Sequence, residues 1–169
     1  MAVSICLRLG PDKKNLKGES VITKHEGEID VLSWNWGLTQ SGTAHRATGA
    51  GSGSADVHDL TITKYVDLAT PTLHQECFNG TDFGESVLTF IKVGGGKGNQ
   101  VEYLKITMSG TVMISSTSAG GSAGSDDAFT ETVTLNFASV KIDYTSQTAN
   151  QGKGATVSGN FDIAKKFST

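Results

Sequence analysis

Gly120-Gly-Ser-Ala-Gly124 has the spacing G-x-S-x-G, which in a hydrolase sets the serine, here Ser122, on a tight turn between a strand and a helix. The surroundings do not supply that turn. Asp126 and Asp127 follow the glycines and the next periodic run is strand-like, so no helix N-terminus backs Ser122 and the segment reads as a Gly/Ser loop. Gly94-Gly-Gly-Lys-Gly98 poses a phosphate-binding question. A Walker loop needs Ser or Thr after the lysine and a helix to present its amides, whereas Gly98 and a strand follow Lys97. Gly49-Ala-Gly-Ser-Gly53 lacks the βαβ setting of a dinucleotide site. His25, His45, His58 and His74 show no close metal-ligand spacing, and the acidic residues are too dispersed to form an acid–base pair. Cys6 and Cys77 form no C-x-x-C unit and are expected as two buried thiols. These residues predict no catalysis, no metal and no cofactor.

The composition narrows the partners. A chain of 169 residues fits one domain, taken here as residues 1–169, and 21 glycines against 2 prolines indicate strands joined by flexible turns. Charged residues make up 18 % against a usual ~25 %, the net charge is −3, and the only basic doublets are Lys13–Lys14 and Lys165–Lys166. No field draws this chain to nucleic acid. No apolar run approaches the ~20 residues of a membrane helix, and residues 1–10 lack the charged leader and apolar core of a secretory signal, so a cytoplasmic start is expected and no membrane partner.

The elements that would position any site are mostly strands. Residues 2–9 place Val3, Ile5, Leu7 and Leu9 on one face. Residues 28–40 alternate again, with Leu32, Trp34, Trp36 and Leu38 on one side and Ser33, Asn35 and Thr39 on the other. That pattern predicts two core tryptophans and a polar Asn35 face. Residues 41–54 form a long Gly-rich loop, and residues 55–65 a strand with a bulge near Val57. A short helix begins at Thr70-Pro71, with Thr70 as the expected cap and Gly80 as its left-handed stop. The sequon Asn79-Gly-Thr81 reads as that helix's end. Strands follow at 86–93, 100–116, 130–144 and about 155–164, with a bulge or sharp twist expected near Ala138, where the apolar phase reverses. The chain is therefore expected to be mainly β, a barrel or sandwich with one short flanking α-helix and long Gly-rich loops.

Several of these segments, in order, resemble the Hcp family, the haemolysin-coregulated proteins of bacterial type VI secretion. They are Lys17-Gly-Glu-Ser20, Glu28-Ile-Asp-Val-Leu-Ser-Trp-Asn-Trp-Gly37, Asp59-Leu-Thr-Ile-Thr-Lys-Tyr65 leading into Thr70-Pro71, Val101-Glu-Tyr-Leu104 and Glu131-Thr-Val-Thr-Leu-Asn-Phe137. The resemblance implies a β-barrel of two sheets and a structural role. Homo-hexameric rings would stack into a tube, with a spike protein at its tip, a contractile sheath around it and effector proteins carried in its lumen. It further implies export from the bacterial cytoplasm without a signal peptide. Carried over by position, Asn35 would face the lumen, and the turn of Gly94, Gly95, Gly96 and Lys97 would lie at the ring-stacking interface. Residues 10–16 carry extra length relative to the family and residues 151–169 match it weakly. Two other readings stay open at this point. One is a small hydrolase using Ser122 and a histidine, which requires turnover lost in Ser122→Ala. The other is a monomeric ligand-binding β module.

Overall fold

The computed structural model describes residues 3–11, 16–40, 55–93, 100–124, 129–148 and 153–168. The turn at 94–97 and the loop at 41–54 lie outside them. Apolar alternation yields strands β1 (Val3–Arg8), β2 (Ile29–Asp30), β3 (Ser33–Asn35), β4 (Leu38–Gln40), β5 (Ala55–Val57) and β6 (Leu60–Tyr65). After helix α1 (Thr70–Asn79) come β7 (Ser86–Val93), β8 (Gln100–Gly120), β9 (Thr130–Gln147), β10 (Lys153–Asp162) and β11 (Phe167–Ser168). All but β4 and β5 join one nine-stranded sheet; those two pair only with each other.

Two features curl that sheet into a barrel. The first is a strand that changes partners. β2 pairs with β1 and β3 with β6, and between them Val31 N–H donates to Ile5 O (2.9 Å) while Leu32 N–H donates to Thr63 O (2.8 Å). Consecutive strand amides point to opposite sides, so residues 29–35 close the gap between β1 and β6. The second is β9, which pairs with β8 on one edge and on the other with β6 as far as Leu135, then with β10 from Ser139. At that corner Gly110 and Thr111 of β8 together oppose Ala138, and Gly110 has φ +76°, so the expected irregularity near Ala138 is a bulge in the neighbouring strand. Inward phase in β9 moves accordingly from Val133, Leu135 and Phe137 to Val140.

The interior holds Leu7, Ile29, Leu60, Ile62, Leu88, Phe90, Ile106, Met108 and Leu135, each at 2 % exposure or less. α1 covers one side of β8 and adds Leu73 at 0 %. Its cap differs from the expectation: Ala69 caps it and Thr70 is already helical. Thr70 Oγ1 instead accepts from Asp67 N–H (3.0 Å), and Asp67 Oδ1 accepts from Ala69 N–H (2.8 Å), so the preceding Asp67 organises the turn. Gly80 ends the helix with φ +65°, as expected. Of the two cysteines Cys6 is fully buried and burial pushes its thiol up to about 11, whereas Cys77 is half-buried.

The single strand expected over 28–40 is three short ones, and this changes the tryptophans. Trp34 points to the core side but remains 37 % exposed, its ring 4.9 Å from Phe90 in an edge contact. Trp36 is half-buried near Phe137 (6.2 Å) and donates from Nε1 to His58 O (2.9 Å). Leu32 and Leu38 are 46 % and 44 % exposed. Past Asn35 the chain leaves the barrel for the β4–β5 ribbon, so the alternating pattern outruns the wall it could pack against. The strand expected over 55–65 likewise breaks at His58–Asp59 into β5 and β6.

Candidate functional site

Of the motif candidates, Ser122, His25, His58 and His74 lie among the described residues, and His45, Gly49–Gly53 and Gly94–Gly98 lie outside them. Ser122 sits exposed in the turn after β8, and among the described residues no helix lies between it and Thr130, where β9 begins. Two of the histidines are engaged elsewhere, His25 Nδ1 with Glu28 (2.9 Å) and His74 with Thr117 (3.0 Å). Among the described residues no group of three or more His, Cys, Asp or Glu could hold a metal ion. Among the described residues no helix is long and apolar enough to cross a membrane.

Asn35, by contrast, belongs to a surface. It is exposed on β3 opposite Thr61 of β6, with Ser33 opposite Thr63. Thr61 and Thr63 lie opposite Thr134 and Thr132 of β9, which in turn lie opposite Ser116 and Ser118 of β8. Directly opposed residues share a face, so four adjacent strands present a band of hydroxyl and amide groups with no ionisable side chain at those positions. Thr61 and Thr134 hydroxyls meet across the strands at 3.3 Å. At one end Asp59 accepts from Ser115 (2.6 Å) and Asn136 (2.8 Å), which ties its charge to the rim.

Behind that band lies a group that sequence reasoning missed. Lys64 and Glu131 are both fully buried, with Nζ donating to Oε1 at 2.7 Å. The same ammonium donates to Asp67 Oδ1 (2.8 Å) and Tyr65 O (2.7 Å), which spends its donors on the turn into α1. Glu131 Oε2 has no hydrogen bond among the described residues, and His74 Nε2 stands 3.5 Å away. The network bolts α1 to β6 and β9. Its signal was present in the pattern, since Lys64 is in phase with Leu60 and Ile62, and Glu131 with Val133 and Leu135. Two opposite charges at core phase on two strands imply a buried pair.

Two further surface features bear on association. β10 pairs with β9 along one edge, while on the other β11 reaches only Phe161 and Asp162, leaving positions 153–160 without a strand neighbour among the described residues. Large apolar side chains also stand in the open, Phe78 at 92 %, Val21 at 88 %, and Leu68 and Val157 at 70 %.

Comparison with known proteins agrees with this architecture. Residues 10–144 match the family model described as type VI secretion system effector, Hcp. Protein hcp1 of Pseudomonas aeruginosa is 47 % identical over 153 residues, 90 % of each chain. The crystal structure of Hcp1 from Salmonella typhimurium aligns over 100 % of both chains with a TM-score of 0.78 and 31 % identity. A solved type six secretion system protein shares the fold with a TM-score of 0.87 over 99 % of this chain and 100 % of its own, at 24 % identity. With a family model spanning most of its length and a relative of this closeness, the chain belongs to the Hcp family of type VI secretion proteins.

Proposed function

We propose that this chain is a structural subunit of a type VI secretion inner tube. Copies join side by side into a hexameric ring, rings stack, and the tube travels from the bacterial cytoplasm outward with effector proteins inside. The observation that carries this reading is the uncharged hydroxyl band around Asn35, four strands wide. Such a surface has neither an apolar patch to grip a passing protein nor a field to hold it, which suits a lumen wall. The edge of β10, open among the described residues, and the exposed Phe78 and Val157 support lateral contact with further copies, because unpaired strand edges and bare apolar groups are what another chain covers. A head-to-tail contact repeated with a closing rotation makes a ring. The turn of Gly94, Gly95, Gly96 and Lys97 belongs to the stacking contact between rings, where a spike protein caps the tube's tip and a sheath surrounds it. No catalysis is part of this role.

Paired substitutions test the two assignments. Asn35→Arg places a charge on the band, and the cognate effector is expected to fall in abundance in cells while rings still form. Gly95→Asp is expected to leave rings intact and abolish tube formation and export. Normal effector levels with the first variant remove Asn35 from the lumen wall, and normal export with the second removes the turn from the stacking contact.

A further inference from the structure

Residues 65–91 contain no lysine or arginine and carry Asp67, Glu76, Asp82 and Glu85. Asp67 is spent on Lys64, and the other three run through the end of α1 and the segment after it. Glu76 accepts from Thr81, Asp82 accepts from the Val112 and Gly84 amides, and Glu85 pairs with Arg8 (3.1 Å). A helix C-terminus is itself a negative pole, and the last turn of α1 holds no basic side chain to answer it. Phe78 stands in that turn at 92 % exposure.

On the other side of β8 the sign reverses. Leu73 of α1 and Ile106 of β8 belong to one core, so α1 lies on the core side of β8, while Lys105, next to Ile106, points away from it. Lys105 lies opposite Asp143 of β9, which lies opposite Ser158 of β10, and Lys141 shares that face two residues from Asp143. Three ion pairs occupy it: Lys105 with Glu102 (2.9 Å), Lys141 with Asp143 (3.0 Å) and Lys165 with Asp162 (3.4 Å). The lysines are 40 %, 47 % and 80 % exposed against 28 %, 19 % and 32 % for their partners, so the ammonium ends stand outermost. A groove of about 290 Å³ on this face has Lys105, Lys141 and Lys153 in its walls against Glu102 and Asp143, and His25 also approaches Glu102 (3.4 Å). An ammonium has three N–H donors and each pair uses one, so the face presents unspent donors.

The two surfaces lie on opposite sides of one strand and cannot meet within a chain. We propose that they meet between copies: the acidic end of α1, with Phe78 at its centre, seats on the lysine face of β8, β9 and β10 of the next subunit. Carboxylates take the outward donors, and the Phe78 ring lies against lysine stems and their charges. A contact that joins one side of a subunit to the opposite side of the next is head-to-tail, so it repeats around a ring. The inference rests on the ring proposed above and names the surfaces that close it.

Charge reversal in the whole chain tests this. Lys141→Glu with Lys165→Glu makes the face acidic, and Glu76→Lys with Glu85→Lys makes the helix end basic. Each variant alone is expected to lose its rings and to show the subunit mass in light scattering. An equal mixture of the two should restore them, because alternating subunits match at every contact. In the unaltered protein the concentration at half-assembly is expected to rise roughly tenfold between about 0.1 M and about 1 M salt, as the screening length falls from about 10 Å to about 3 Å. Where circular dichroism shows that a double variant does not fold, Lys165→Glu and Glu85→Lys alone carry the test. Rings from either folded variant alone as readily as from the unaltered chain, a mixture that stays at the subunit mass, or assembly indifferent to salt overturns the inference and leaves the tube reading standing. Lone subunits from the unaltered protein at every concentration overturn that reading and the inference with it.

Discussion

Lys64 stands on the core side of β6, two residues from Ile62 and four from Leu60, where a strand's alternation leaves it no route to water. Such a lysine persists only if paired, and Glu131 occupies the matching phase of β9. Removing one partner strands the other, so Lys64→Ala is expected to cost about 3–5 kcal/mol in a denaturant titration. The double change Lys64→Met with Glu131→Leu should recover most of that loss, since a well-packed apolar pair avoids desolvating two charges. Recovery in the double variant would show that the pair's net contribution is small and that the single substitution suffers from the orphaned charge. A lone loss near zero would mean that solvent reaches the cluster.

At the scale of elements, the bulge is where the barrel turns its corner. Phe83 N–H donates to Val112 O (2.8 Å), while Asp82 Oδ1 accepts from Val112 N–H (3.0 Å) and Gly84 N–H (2.9 Å), so the segment after α1 clamps the strand just beyond Gly110. These backbone donors, Val112 first, hold the Asp82 carboxyl below its usual range. A depressed carboxyl contributes stability that is complete above its unfolded value of about 3.9 and is lost as pH falls through the folded one. Asp82→Asn is therefore expected to flatten the acid limb of the stability–pH curve while leaving its slope near neutrality unchanged, as read by thermal unfolding across that range. An acid limb identical in both proteins would contradict the clamp.

The same elements show what could be read from residue order alone. The limits of β7 and the end of α1 were legible because Gly80 and the apolar runs are local signals. The break-up of residues 28–40 was not, because alternation records which side a residue faces and not whether a wall exists opposite it. Trp34 and Leu38 keep the pattern and still meet solvent. The bulge was foreseen from β9's phase reversal, but its placement on β8 depends on pairing, a non-local fact. Of the candidate site, Asn35 was visible as the polar side of one strand. The band to which it belongs required the register of β3, β6, β9 and β8. Within Lys17-Gly-Glu-Ser20, Gly18 is explained by its contact with Glu28, and Ser20 by burial beside Cys6 (3.6 Å).

For the molecule as a whole, the barrel encloses its own apolar core, yet the surface is unfinished for a solitary protein. Phe78 is nearly fully exposed, β10 offers an edge unmatched among the described residues, and the positions of the hydroxyl band hold no charge to repel a neighbour or hold a ligand. Assembly with identical copies, the role proposed above, would account for these features together. The most direct measurement is the native mass of the purified chain over a range of concentrations, with electron microscopy of the same sample. The account predicts annular particles whose mass is six times the 17.7 kDa of one subunit. A species that stays at the subunit mass at every concentration, with no annulus in the micrographs, would contradict it.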